Sequence, residues 1–244
     1  MRAAPISVTA AMAAAWTLPA LAPLSPVVCS ALGIPRRIDD RPVAYLTFDD
    51  GPHPLGTPAI LATLADHGAR ATFFLVGEQV RRAPALTAEI AAAGHAVELH
   101  GDRHRNQLRL TPAAVADDLR RGAEAILAAT GRQPEMYRPP YGIFSAGGLA
   151  TTRRLGLQPL LWSRWGRDWH RRATPSGIAA RVSDRLEAGD VLLLHDSDAY
   201  SVADSWRATS AALPLVLDAI VRHGLSAEAL SAEAITGYPR QPTR

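Results

Sequence analysis

A regular alternation of strand-like and helix-like segments, roughly 25 residues per unit from Val43 onward, constrains this chain more than any other feature. Short apolar runs rich in β-branched and aromatic residues fall at 44–48, 71–75, 96–99, 135–138, 157–162 and 191–194, with a weaker one near 225–227. Helical patterns are predicted at 58–67, 112–129 and 175–187. Each opens with proline directly after threonine: Thr57-Pro58, Thr111-Pro112 and Thr174-Pro175. A threonine hydroxyl can accept a free N–H of the first turn, and proline suits the first helical position because its missing N–H is not needed there. Gly68, Gly94, Gly131, Gly156, Gly189 and Gly224 fall where left-handed helix caps are wanted. Strict βα alternation implies an α/β fold with a parallel sheet and right-handed crossovers. About seven such units in about 200 residues favour a barrel over an open sheet. One domain is expected over 40–236, followed by a polar tail.

Composition removes several chemistries. All 26 basic residues are arginine, so lysine Schiff-base chemistry and Walker-type phosphate loops are excluded. The arginines are mostly scattered, and the net charge is only +3, so no nucleic-acid partner is expected. Nothing in the sequence marks a protein partner. Cys29 is the single cysteine, which leaves neither an intrachain disulfide nor a thiolate zinc cluster. Any metal must be held by histidines and carboxylates.

Residues 1–35 differ from the rest. No charge lies between Arg2 and Arg36. A basic start, an Ala-rich apolar stretch and the small-residue site Ala20-Leu21-Ala22 have the order of a secretory signal. A membrane anchor running to about Leu32 is the alternative, although Pro19, Pro23 and Pro26 would interrupt a spanning helix. A third reading packs the segment on the domain. Export is the expectation, with release after Ala22 or membrane association through this segment.

The unusual polar residues gather at the C-terminal ends of the strand-like runs. Asp49-Asp50 follow the first, and alternation along a strand aims neighbouring side chains in different directions. One carboxylate can face a metal while the other faces a reacting group. His100 and His104 follow the third run, at a spacing that brings two imidazoles together on a helix face or across a tight loop. With a carboxylate they would form a site suited to zinc or a similar divalent ion, with a coordination position left open. Arg138 stands on the rigid Pro139-Pro140 segment, where a fixed guanidinium near Asp49 would keep that carboxylate ionised. His195 leaves an apolar strand and is a candidate general acid. Asp168 would tune it, and Trp169 would shield the pocket from water. In a parallel barrel these ends form one rim, which holds the active site.

Five short motifs in order carry a family resemblance. They are Thr47–Gly51 (T-F-D-D-G), His100–His104 (H-x-x-x-H), Arg138–Tyr141 (R-x-P-Y), a partial match at Asp168-Trp169, and Leu193–Asp196 (L-x-H-D). The chain resembles the polysaccharide deacetylases of carbohydrate esterase family 4, the NodB homology domain. The resemblance implies a distorted (β/α)7–8, TIM-like barrel. It implies a hydrolase that removes N-acetyl groups from a sugar polymer or oligomer of the chitin or peptidoglycan type. It further implies that Asp50, His100 and His104 hold a divalent metal (zinc, with cobalt or manganese as alternatives). Asp49 would be the general base, oriented by Arg138. The Tyr141 N–H would stabilise the oxyanion, and His195, tuned by Asp168, would protonate the leaving amine. Trp169, Leu193 and Tyr141 would contact the substrate. Gly101 stands where the family has serine or threonine, and Trp165 replaces the first aspartate of the fourth motif. The missing hydroxyl predicts a less firmly tied metal loop, so Gly101→Ser is expected to raise metal affinity or leave it unchanged.

Rival readings are a non-catalytic sugar-binding protein on the same fold, an O-deacetylase or small-amide deacylase, and a non-haem iron oxygenase. The last also uses two histidines and a carboxylate, but usually on β-sandwich folds. Substrate choice is expected to lie in loops, especially 197–206.

Overall fold

The computed structural model describes residues 8–38 and 41–231. The elements run α1 (Val8–Thr17), α2 (Pro26–Ala31), β1 (Val43–Asp49), α3 (Gly56–Asp66), β2 (Thr72–Leu75), α4 (Gly77–Arg82), α5 (Pro84–Ala92), β3 (Ala96–Leu99), α6 (Pro112–Thr130) and β4 (Met136–Tyr137). They continue with α7 (Ala146–Arg154), β5 (Gln158–Pro159), β6 (Arg164–Trp165), α8 (Pro175–Ser183), β7 (Val191–His195), α9 (Ser205–Arg222) and β8 (Ser226–Glu228). Short 3-10 turns lie at Leu18–Leu24, Gln107–Arg109 and Pro140–Gly142.

The sheet follows the order β5-β4-β3-β2-β1-β7-β6, and β8 pairs with β1. Every pairing of these strands is parallel. Central β1 is buried along its whole length. Helices cover the outer face of such a sheet, so its strands read as unbroken apolar runs. β8 pairs with the first half of β1, at Val43–Tyr45, and β2 with the second half. Phe48 and Phe73 stack across β1 and β2 with centroids 5.1 Å apart. The core continues through Leu46, Leu192 and Leu194, all fully buried.

The expected barrel is present in distorted form. β5 and β6 stand at opposite ends of the sheet order, yet only residues 160–163 separate them. One stretch of chain therefore leaves β4, where Tyr137 pairs with Pro159, and arrives on β7, where Trp165 pairs with Leu193. The ring closes along the covalent chain at this seam, without a ladder. Of the strand expected at 157–162 only Gln158–Pro159 therefore forms, and a second two-residue strand, Arg164–Trp165, follows beyond it. Pro159 has no N–H to extend a ladder.

Two of the threonine caps behave as expected. Thr111 and Thr174 accept the N–H groups of Ala114 and Gly177, each at 3.2 Å. Thr57 does not cap. α3 begins at Gly56, and His53 Nδ1 accepts the N–H groups of Leu55 (3.3 Å) and Gly56 (2.8 Å) instead. The Thr57 hydroxyl points inward and donates to Asp196. α8 ends at Ser183, short of the expected 187. Asp184 is extended there and Arg185 is left-handed (φ 50), so the chain turns away. Gly189 is also left-handed (φ 78) but leads into β7 rather than ending a helix.

The N-terminal segment lies on the domain, with Ala22, Cys29 and Ile34 inside the core. The Cys29 thiol donates to the Ala22 carbonyl at 3.1 Å. Among the described residues no helix is long and apolar enough to cross a membrane. The basic start at Arg2 and the polar tail from residue 232 lie outside the described residues.

Candidate active site

The site is built on the C-terminal end of β1. Thr47, the first residue of its motif, is fully buried. Its hydroxyl donates to Leu192 O (2.7 Å) and accepts from Arg138 Nη1 (2.8 Å). The same guanidinium nitrogen donates to Asp49 Oδ1 at 2.7 Å. Arg138 has no solvent exposure, and its guanidinium lies 4.1 Å from the centre of the Phe74 ring. Burial pushes the Arg138 pKa down, and the Asp49 carboxylate acts against that shift. A buried guanidinium needs hydrogen-bond acceptors, which Thr47, Asp49 and the Leu161 carbonyl (3.3 Å) supply.

Asp50 leaves the strand with a left-handed backbone (φ 81), which turns its carboxylate toward β3. Asp50 Oδ1 lies 3.3 Å from His100 Nε2 and 3.3 Å from His104 Nε2. One ligand atom from each residue falls within 4.8 Å of the others. Asp50 Oδ1 is buried and has no hydrogen-bond partner. His100 Nδ1 donates to Arg138 O at 2.8 Å, which fixes the tautomer and leaves Nε2 free to ligate. Burial raises the Asp50 pKa, but the two imidazoles facing its carboxylate and the nearby His195 outweigh it and hold the carboxyl well below the usual range. An orphaned carboxylate oxygen between two correctly oriented imidazoles fits a divalent ion of the zinc type.

The loop bearing these histidines is tied differently from the sequence-based expectation. Gly101 has φ 92, and a Cβ there would lie 2.9 Å from Asp118 Oδ2. Asp118, on α6, accepts the Asp102 N–H at 3.0 Å and an Arg105 N–H at 2.6 Å. From the other side, the Gly77 and Glu78 N–H groups donate to Gly101 O and Asp102 O, each at 2.9 Å. The loop is thus bolted between α4 and α6. The carboxylate of Asp118 ties it where the family's hydroxyl is absent, and Gly101 is required by its backbone angle.

Across the rim, β7 ends at His195. Its Nδ1 and backbone N–H both meet the Asp168 carboxylate, at 2.8 and 2.7 Å. Asp168 is buried and also accepts from the Thr209 hydroxyl (2.8 Å). Burial lowers the His195 pKa, but the charge and hydrogen bond of Asp168, with Asp50 and Asp49 behind, lift it to about 10. Trp165, the departure in the fourth motif, lies between Trp162 and Trp169, with centroid distances of 5.9 and 5.3 Å. It extends an aromatic wall. Trp169 then meets the His195 ring nearly edge-on at 5.4 Å.

A cavity of about 230 Å³ joins these parts. Asp49, Asp50, His100, His104, Tyr141, Trp169, Leu193 and His195 line it, while Arg138 and Asp168 stand behind Asp49 and His195. All the site residues named from the sequence therefore converge. Trp162, Tyr200 and Ser201 also line the cavity and carry no motif. Tyr200 stacks on His104 (4.3 Å between centroids, 9° between planes). Its hydroxyl donates to Glu78 (2.6 Å) and accepts from Gln79 (3.1 Å). The only signal for it was an aromatic residue in the loop after β7.

Two imidazoles, a carboxylate, a supported aspartate and an aspartate-paired histidine at one rim of a parallel, distorted (β/α) barrel form the layout of a hydrolase site with a candidate metal position. Residues 36–160 match the polysaccharide deacetylase family model, and the chain belongs to that family. It is 39% identical over 153 residues to a chitooligosaccharide deacetylase from Bradyrhizobium sp. (strain ANU 289), covering 62% of this chain and 69% of that one. It is 30% identical over 188 residues to a peptidoglycan-N-acetylglucosamine deacetylase from Bacillus cereus, covering 76% and 85%. Among solved structures, a family 4 carbohydrate esterase from Streptomyces lividans in complex with acetate superposes with TM-score 0.72 at 31% identity, over 81% of this chain and 97% of that chain.

Proposed function

We propose that this protein is a metal-dependent hydrolase that removes N-acetyl groups from an N-acetylated sugar polymer or oligomer of the chitin or peptidoglycan type. The observation that carries the reading is the pairing of Asp49 with Arg138 and of His195 with Asp168 on opposite sides of one cavity, beside the Asp50, His100 and His104 cluster. Those three residues would hold the ion, with zinc favoured by two nitrogens and one oxygen and cobalt or manganese as alternatives. A divalent ion held there would lower the pKa of a bound water and polarise the amide carbonyl.

The chain's own residues then divide the proton work. Asp49, fixed by Arg138, accepts the proton of the attacking water. His195, kept protonated by Asp168, gives its proton to the departing amine. The Tyr141 peptide, left-handed at φ 62 beside His104, offers its N–H to the developing oxyanion. Leu193 and the Trp169 ring border the space for the acetyl methyl, and the tryptophan wall excludes water.

A panel of N-acetylated chitin oligomers, peptidoglycan glycan and O-acetylated xylan, assayed for acetate with and without added metal, tests this. Release from N-acetylated substrates that stops on chelation and returns with zinc is expected, and His104→Ala should bind far less zinc. Release only from the O-acetylated substrate, or equal zinc content in His104→Ala, would overturn it.

We further propose a working place outside the cytoplasm. The support is the uncharged stretch between Arg2 and Arg36 and a substrate class found in cell walls. Ala22 is buried in the fold, so a peptidase acting after it would have to do so before folding.

A further inference from the structure

The seam in the barrel is filled by the N-terminal segment. Leu161 N–H donates to Pro35 O at 3.0 Å, and Arg36 Nε donates to Trp162 O at 2.7 Å. Arg37 and Asp190 form an antiparallel bridge, and Ile38 N–H donates to Gly189 O at 3.1 Å. Residues 35–38 therefore supply backbone pairing where β5 and β6 leave it unmade. On α7, Arg153 grips the carbonyls of Leu32 and Gly33.

The same segment reaches the rim. Gly142, left-handed at φ 70, has no room for a side chain: a Cβ would lie 2.6 Å from the Trp162 ring and 2.9 Å from Pro23 Cγ. Gly142 is thus clasped between Pro23 in the Leu18–Leu24 turn and Trp162, whose carbonyl Arg36 holds. Its neighbour Tyr141 is a non-glycine residue in a left-handed conformation. Such a conformation persists only where the surroundings over-determine it. Tyr141 itself is more than half exposed and its ring meets only the edge of His104 (4.5 Å between centroids), so restraint of its backbone falls largely to its neighbours.

We propose that residues 23–38 are a positioning element for catalysis, in which Pro23 and the Arg36-anchored Trp162 hold the Tyr141 peptide at the angle the oxyanion requires. This rests on the deacetylase reading for its kinetic consequence, but not for its structural one. An N–H that matters only in the transition state affects kcat and leaves substrate binding alone.

The test uses the full chain with Pro23→Gly, and Pro23→Val to refill the contact. Tetra-N-acetylchitotetraose turnover, zinc affinity and hydrogen exchange over residues 139–145 are measured. Complete loss of an oxyanion donor costs about 10²–10³-fold. A displaced one should lower kcat by about tenfold, with KM and zinc affinity unchanged, and Pro23→Val should recover most of the loss. Exchange over 139–145 should quicken in Pro23→Gly even if the wild type releases no acetate, an outcome that would count against the proposed activity alone. Unchanged exchange in a folded Pro23→Gly, or kcat equal to wild type in an active enzyme, would overturn the inference.

Discussion

Asp49 and Asp50 are adjacent in the chain, and one backbone angle separates their tasks. Asp49 ends the extended β1 and meets Arg138; Asp50, at φ 81, turns toward the histidines. Asp49→Asn keeps the side-chain shape and the ligand set, so the protein should retain its metal and fold. It should lose about 10²–10⁴-fold in activity, the scale of a general acid–base group, and His195→Ala should do the same. Near wild-type rates in either would show the roles to be misassigned. The His195–Asp168 pair adds a pH dependence. Its folded pKa of about 10 lies above the ordinary 6.5, so its stabilising contribution is full below pH 6.5 and is lost as pH rises through about 10. The alkaline limb of kcat/KM should lie above the ordinary imidazole range, as His195 loses the proton it donates. Asp168→Asn removes the nearest charge that raises His195 and leaves burial opposed only by Asp50 and Asp49, so this limb should move to lower pH. An unmoved limb would mean that another group sets it.

At the scale of elements, the metal loop shows how a missing hydroxyl is replaced from elsewhere in the fold. Asp118 lies on α6, in sequence beyond the loop it ties. Loss of a group that orients metal ligands costs about 10–100-fold in affinity. Asp118→Ala should weaken zinc binding on that scale in a chelator-competition titration, and Asp118→Asn, which keeps one acceptor oxygen, should weaken it less. Gly101→Ser should lower affinity, contrary to the expectation from sequence, because it places a Cβ at φ 92 against the Asp118 carboxylate. A rise in affinity would restore the missing-hydroxyl reading. Tyr200 belongs to this scale too: its hydrogen bonds to Glu78 and Gln79 carry the loop after β7 across to α4, beside His104.

For the molecule as a whole, the extracytoplasmic proposal and the packed N-terminal segment meet in one measurement. Cell fractionation with sequencing of the mature N-terminus should find the protein outside the cytoplasm or at the membrane, and an intact Met1 in a soluble cytoplasmic fraction would defeat that proposal. The parts legible in the sequence alone were those with local causes. β1 and β7 are buried on both faces, so they read as apolar runs; Thr111-Pro112 and Thr174-Pro175 carry their own helix starts; the motif residues fall at strand ends because a parallel ring puts its chemistry there. What tertiary structure alone decided depends on partners far along the chain. Arg138 meets Asp49 across 89 residues, Thr57 meets Asp196 across 139, and Arg36 meets Trp162 across 126. No local pattern encodes such contacts. Residue type and period set which elements form and which side chains can do chemistry, while the closing of the ring decides which of them touch, since only packing brings distant segments within hydrogen-bonding reach.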